Sequence, residues 1–301
     1  MNSFKHLGVA LVLTALVFPV SAADAEEKTL TLNSGGLESM KITAGAGSLH
    51  IQGLEGSSEI TVEATIVADP DDVRLSLEKK GDTAVLVSEI KDRNFRLFER
   101  SRYIDLRVSV PQHLMLAIKD GSGDMSVRDI LVAVDISDGS GSIVIENIGG
   151  ALDINDGSGD LRIDTVDGSL TLNDGSGSVS INNISGAVKA EDGSGDFTAV
   201  KIAAGLRISD GSGSLTVKDS GGMVEVKDGS GDITLEDIIG DVDVSDGSGS
   251  LHINNIDGHV TIDDGAGDIR VASIKQGLTI DESGSGGLSI KDIEGAVDIE
   301  D

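Results

Sequence analysis

A period of eighteen residues constrains this chain more than any other feature. The tetrapeptide Asp-Gly-Ser-Gly begins at positions 120, 138, 156, 174, 192, 210, 228 and 246, and Asp264-Gly265-Ala266-Gly267 adds a ninth copy. Repetition this strict marks a solenoid, in which each repeat packs only on its neighbours. Apolar residues hold fixed places in every copy: Leu161, Ile163, Val166, Leu170 and Leu172 in one, Val179, Ile181, Ile184, Val188 and Ala190 in the next. Leu-x-Ile and Leu-x-Leu alternate with period two, which turns every second side chain to one face of a strand. Each coil therefore holds two short strands, near residues 161–164 and 169–173 in the first example, with turns at the Asp-Gly-Ser-Gly and near Gly168. One coil cannot bury its own apolar face, but coils stacked about 4.8 Å apart convert each apolar position into an internal column. The expectation is all-β: a single-stranded parallel β-helix, or β-solenoid, with 18-residue coils, right-handed because parallel crossovers usually are.

Other solenoids fit less well. A hexapeptide left-handed helix needs a core residue every six positions, and the spacings here are uneven. A leucine-rich repeat needs a longer period and an Asn or Cys column. The calcium-binding nonapeptide roll repeats its Gly-Asp motif every nine residues, whereas this chain repeats it every eighteen.

Three segments are expected. Lys5 and His6, an apolar run from Leu7 to Val20 and the small residues Ser21-Ala22 read as a secretory signal peptide over residues 1–22. Residues 23–118 read as an irregular β cap continuous with the solenoid, since terminal repeats are usually atypical. Ala44–Gly56 is a degenerate coil there, followed by strand-like alternation over residues 59–67, 74–79, 83–90 and 103–110. Residues 119–301 form ten coils, with one extra residue inserted at Asp281–Gly287. The last coil, from Leu288, carries no cap of its own and is a candidate for stacking on a partner. Proline, which removes a ladder donor, is absent after Pro111, and the chain has no Cys, so disulfides contribute nothing.

The formal charge of −29 disfavours nucleic acid and anionic lipid as partners. No membrane span is expected once the signal is removed, which places the mature protein in the periplasm, at the cell surface or outside the cell. The one basic stretch, Lys91–Tyr103, interleaves Arg93, Arg96 and Arg100 with Phe95 and Phe98. It reads either as a contact loop or as a solvated hairpin loop packed on the cap.

Stacking would align Asp120, Asp138, Asp156, Asp174, Asp192, Asp210, Asp228, Asp246 and Asp264 in one column. Carboxylates about 4.8 Å apart repel by roughly 0.9 kcal/mol even at water's dielectric constant, so something must offset the repulsion. Two devices are available: Asx-turns, in which each carboxylate accepts N–H groups of the following Gly-Ser-Gly, or a row of calcium ions bridging coils. The residue after each tetrapeptide alternates, Asp124, Ser142, Asp160, Ser178, Asp196, Ser214, Asp232, Ser250, Asp268, which doubles the spacing of a second carboxylate column. His50, His113, His252 and His259 are scattered and no nucleophile-base pairing is visible, so no catalytic, cofactor-binding or metal residues are assigned and no enzyme is expected.

The signal peptide, the irregular β start, Val108-Ser109-Val110-Pro111 leading into Asp120-Gly121-Ser122-Gly123-Asp124, and the repeated Gly-Ser-Gly-Asp coils together resemble the bacterial putative-adhesin family, a domain of unknown function related to the head-GIN domains. The resemblance covers nearly all of the mature chain. It implies a β-helical surface or periplasmic protein with an adhesion-type role and no catalytic residues. The resulting expectation is an exported, non-enzymatic β-solenoid that acts as an adhesin or envelope-interaction scaffold on a partner the residues do not identify. The alternative is a calcium-binding structural module built on the turn aspartates.

Overall fold

The computed structural model describes residues 25–91 and 102–300. The expected signal peptide, and with it Arg93, Arg96 and Arg100 of the basic stretch, lie outside the described residues. Every regular element among the described residues is a β-strand. Eighteen-residue coils stack into a solenoid of about ten turns.

Two 14-stranded sheets form the walls. In the coil of Asp156-Gly157-Ser158-Gly159 the strands are Leu161–Val166 and Leu170–Asp174, close to the two expected from period-two alternation. Each pairs in parallel with its equivalents one coil away: Leu161 lies opposite Ile143 and Val179, Leu170 opposite Leu152 and Val188. Leu161, Ile163, Val166, Leu170 and Leu172 are all buried. Each such aliphatic side chain removed from water contributes about 1.5–3 kcal/mol, and the columns join into one core running along the array.

Coils can approach this closely because of glycine. Gly159, the second glycine of its tetrapeptide, has φ +138°, and a Cβ there would lie 1.9 Å from the carbonyl oxygen of Gly141 one coil earlier. Conformation and close approach both exclude a side chain.

The N-terminal region is wound differently. Its strands are β1 (Glu26–Asn33), β2 (Ser39–Ala44), β3 (Leu49–Leu54), β4 (Glu59–Val67), β5 (Val73–Lys80), β6 (Thr83–Ile90), β7 (Tyr103–Pro111) and β8 (Met115–Lys119). The array follows with β9 (Met125–Ile130) and ends with β27 (Leu288–Ile293) and β28 (Ala296–Ile299). The degenerate coil β2–β3 lies directly against β8 and β9, with Met40 opposite Leu116 and Leu49 opposite Met125. Strands β6 and β7, later in sequence, stack on its other side. Antiparallel pairing of β5 on β6, and of β1 and β7 on β4, then completes this end. The inserted residue near Asp281 appears as a register shift after Ile262, and Ile269 pairs with Leu288 nineteen positions on. In the last coil Leu288, Val297 and Ile299 are exposed.

Candidate functional site

Three polar columns run along the corners of the coil. The first is the inward aspartate column. All nine residues from Asp120 to Asp264 are buried, with exposures of 0–7%. Asp120 follows directly on β8, and from Asp138 on they close the second strand of each coil and face their equivalents in register, Asp138 opposite Asp156 and Asp156 opposite Asp174. Asx-turns supply part of the compensation. Oδ1 of Asp156, Asp192, Asp210, Asp228 and Asp246 accepts the N–H of the serine two residues on, at 3.0–3.3 Å, and Asp264 accepts that of Ala266. Asp120 accepts from Gly121 at 2.8 Å. The other oxygen, Oδ2, has no partner at any of the nine, while the backbone N–H groups of Gly139 and Ser140 act on Asp138 and those of Gly175 and Ser176 on Asp174. Burial raises every carboxyl of the column above its ordinary value, and Asp120, Asp156, Asp192 and Asp246 reach about 6. The calcium reading gains no support, because among the described residues no group of three or more His, Cys, Asp or Glu side chains is placed to hold a metal ion.

The second column is the alternating one. Oδ1 of Asp124, Asp160, Asp196 and Asp232 accepts the N–H of Ser142, Ser178, Ser214 and Ser250 in the next coil, at 2.9–3.2 Å. Asp268 accepts from Gly287 in the same way. The alternation thus clamps coils in pairs, a role beyond the charge spacing read from sequence.

The third column was not anticipated. Asp129, Asn147, Thr165, Asn183, Lys201, Asp219, Asp237, Asn255, Ser273 and Asp292 all have φ between +53° and +64°. Left-handed backbone suits Asn and Asp best, and seven of these ten are Asn or Asp. That enrichment, at the residue before the third core position, was the available signal. Each residue drops out of the ladder, so that Asp164 pairs with Asn182 and Val166 with Ile184 while Thr165 stands aside. Its side chain reaches along the corner instead: the Asn147 amide donates to Asp129 Oδ1, Asn183 to Thr165 Oγ1 and Asn255 to Asp237 Oδ1.

A groove of about 660 Å³ follows this corner from Asn183 to Lys275. It passes the core column Val166, Ile184, Ile202, Ser220, Ile238 at the rung where a serine stands among aliphatic residues. Ser220 is buried and its hydroxyl donates to the carbonyl of Gly222. With Gly221 and Ala203 beside it, little side-chain volume fills this part of the corner. Lys201, Asp219 and Asp237 line the groove, Ile239 stands 64% exposed beside it, and an ion pair between Lys275 and Asp257 borders its far end. A second hollow of about 550 Å³ lies where the cap meets the array, lined by His50, Glu63, Arg107, Asp124 and Arg128.

The histidines do not converge. His50 bonds the Ser126 hydroxyl at 2.8 Å, His259 bonds that of Thr279 at 3.0 Å, and His252 lies 3.8 Å from Glu236. Among the described residues no histidine is joined to a nucleophile activated by a further acid.

None of the curated proteins matches the chain. Among solved structures it is similar to a "putative cell adhesion protein" of Clostridium sporogenes at 12% identity, over 92% of this chain and 99% of that one, with a TM-score of 0.28. A "putative adhesin" of Bacteroides fragilis aligns at 14% identity over 91% and 97%, and a "putative lipid binding protein" of Parabacteroides distasonis at 13% over 92% and 97%, both with a TM-score of 0.28. Residues 55–221, more than half of the sequence and spanning both the cap and the regular coils, match a single family of unknown function. The chain belongs to the Toastrack DUF4097 family.

Proposed function

We propose that the protein is an exported, non-enzymatic β-solenoid that serves as an adhesion or envelope-interaction scaffold and holds its partner along the groove at the Ser220 corner. The observation that carries this reading is the substitution of the core column at Ser220. It lines a concave, amphipathic surface that runs across several coils of an otherwise uniform rod. Charged side chains of both signs border a strip of exposed apolar surface at Ile239, a combination suited to an extended polar polymer or polypeptide laid along the stacking axis. Each turn between strands of the array is only a few residues long, so the groove is bordered by the coils themselves.

The test replaces Asp219 and Asp237 by Lys in the full chain and recovers bound material from a cell-envelope fraction. Both positions are exposed, and Lys201 already occupies the same left-handed column, so the backbone tolerates lysine there. Recovery should fall at least tenfold in D219K/D237K while the circular dichroism of the rod stays unchanged. Undiminished recovery would contradict the groove as the contact surface.

A further inference from the structure

The inward aspartates pose a problem that the Asx-turns solve only by half. Nine carboxyl groups sit one coil apart in a wall of the core, and each keeps at least one fully enclosed oxygen with nothing to bond. A buried acceptor without a donor costs about 1–3 kcal/mol, and more if it is charged, so nine such atoms in one domain require a compensating species. No Lys, Arg or His is buried among the described residues. The charges acting on the column are themselves carboxylates: the adjacent rungs, Asp196 against Asp210, and Asp263 against Asp264. Calcium takes six to eight oxygen ligands, and the column presents one carboxyl per coil with its free oxygen shut off from water. The proton is the cation that fits.

We propose that the nine aspartates form a proton-binding column, in which a neutral carboxyl on one rung donates its O–H from the otherwise unpartnered oxygen to a carboxylate on the adjacent rung. The proton comes from solvent on folding. One hydrogen bond forms, and the repulsion between two buried anions is removed. A neutral rung relieves both of its neighbours, so the favoured filling is alternate. Such a column titrates as one coupled system, and its apparent values belong to the set.

The consequence is a rod tightened by mild acid. A carboxyl whose value is higher in the folded than in the unfolded chain holds its proton longer in the fold. The stability it supplies is therefore complete near pH 4 and lost as pH rises through about 6. This is the reverse of the usual surface carboxylate.

The experiment compares the full chain with D156N/D192N/D246N and with the charge-matched control D135N/D153N/D243N. The control removes three exposed carboxylates from the outer face of the same sheet. Denaturant unfolding is followed from about pH 4 to pH 8. Asn keeps the turn acceptor and brings its own donor to the next rung. Each column substitution should therefore remove a factor of about tenfold to a hundredfold from the pH dependence of the unfolding constant, and raise stability at pH 8. The control should keep the wild-type pH dependence. Equal pH dependence in the column variant and the control, or a column variant less stable than wild type at pH 8, would overturn the proposal. Infrared spectroscopy of the unaltered folded protein gives an independent readout. A protonated-carboxyl band should persist above pH 5, and its absence there would equally overturn the column.

Discussion

The regular array from Asp120 and the N-terminal cap share both sheets and one core, yet they resolve the same problem by opposite means. In the array, each strand is completed by a copy of itself one coil away, always parallel and, up to the shift after Ile262, in register. In the cap, strands distant in sequence are brought together, β3 lying between β7 and β9, and the outermost pairs turn antiparallel. Repetition makes the array uniform but makes each corner as tight as the next. The cap gives up uniformity, and some of its turns, such as that at Gly56, lie clear of any neighbour, while Gly47 and Gly53 are packed as tightly as the glycines of the array. At this end both sheets finish on antiparallel strands, β1 on β4 and β5 on β6, instead of on a further copy of the coil.

The glycines offer the largest test of that contrast. Gly159→Ala would put a methyl group 1.9 Å from the Gly141 carbonyl at φ +138°, so coils must part to admit it. The expected loss is more than about 3 kcal/mol, read as a fall in the denaturant midpoint. Gly56→Ala in the cap has φ +66° and nothing within 4 Å of the added carbon. Its cost is only that of a left-handed alanine, about 1–2 kcal/mol. Equal losses at the two sites would break the comparison.

A smaller difference is expected in the core. Ile163→Ala in the array removes a fully buried side chain between Ile145 and Ile181 and should cost about 2–5 kcal/mol. Leu75→Ala, on the partly buried edge strand β5, should cost about 1–2 kcal/mol. Thermal or denaturant unfolding of the two variants side by side would show whether the cap shares the packing of the array.

What was legible in the sequence follows the same division. The array's strands, its core columns and the added residue near Asp281 could all be read, because register in a stack is set by the period alone. Strand positions in the cap could be read from alternation, but not their order, which depends on contacts between β3 and β9 some seventy residues apart in sequence. The Asx-turns were visible in Asp-Gly-Ser-Gly because the hydrogen bonds are local. The clamp from Asp160 to Ser178 was not, since the bond crosses between coils. The groove passes one departure from the pattern, Ser220 in a column of isoleucine and valine. It becomes visible only when the third core position is read down the coils as a column rather than along the chain.

The central claim, one coil for every eighteen residues stacked at the strand spacing, is tested most directly by measuring length per coil. The absence of native cysteine makes paired spin labels specific. Asp135, Arg207 and Asp243 occupy equivalent exposed positions, Arg207 four and Asp243 six coils beyond Asp135. Labels at Asp135 and Arg207 should lie about 19 Å apart and those at Asp135 and Asp243 about 29 Å apart, a fixed rise per coil. Distances that fail to grow with the number of intervening coils would contradict the stack.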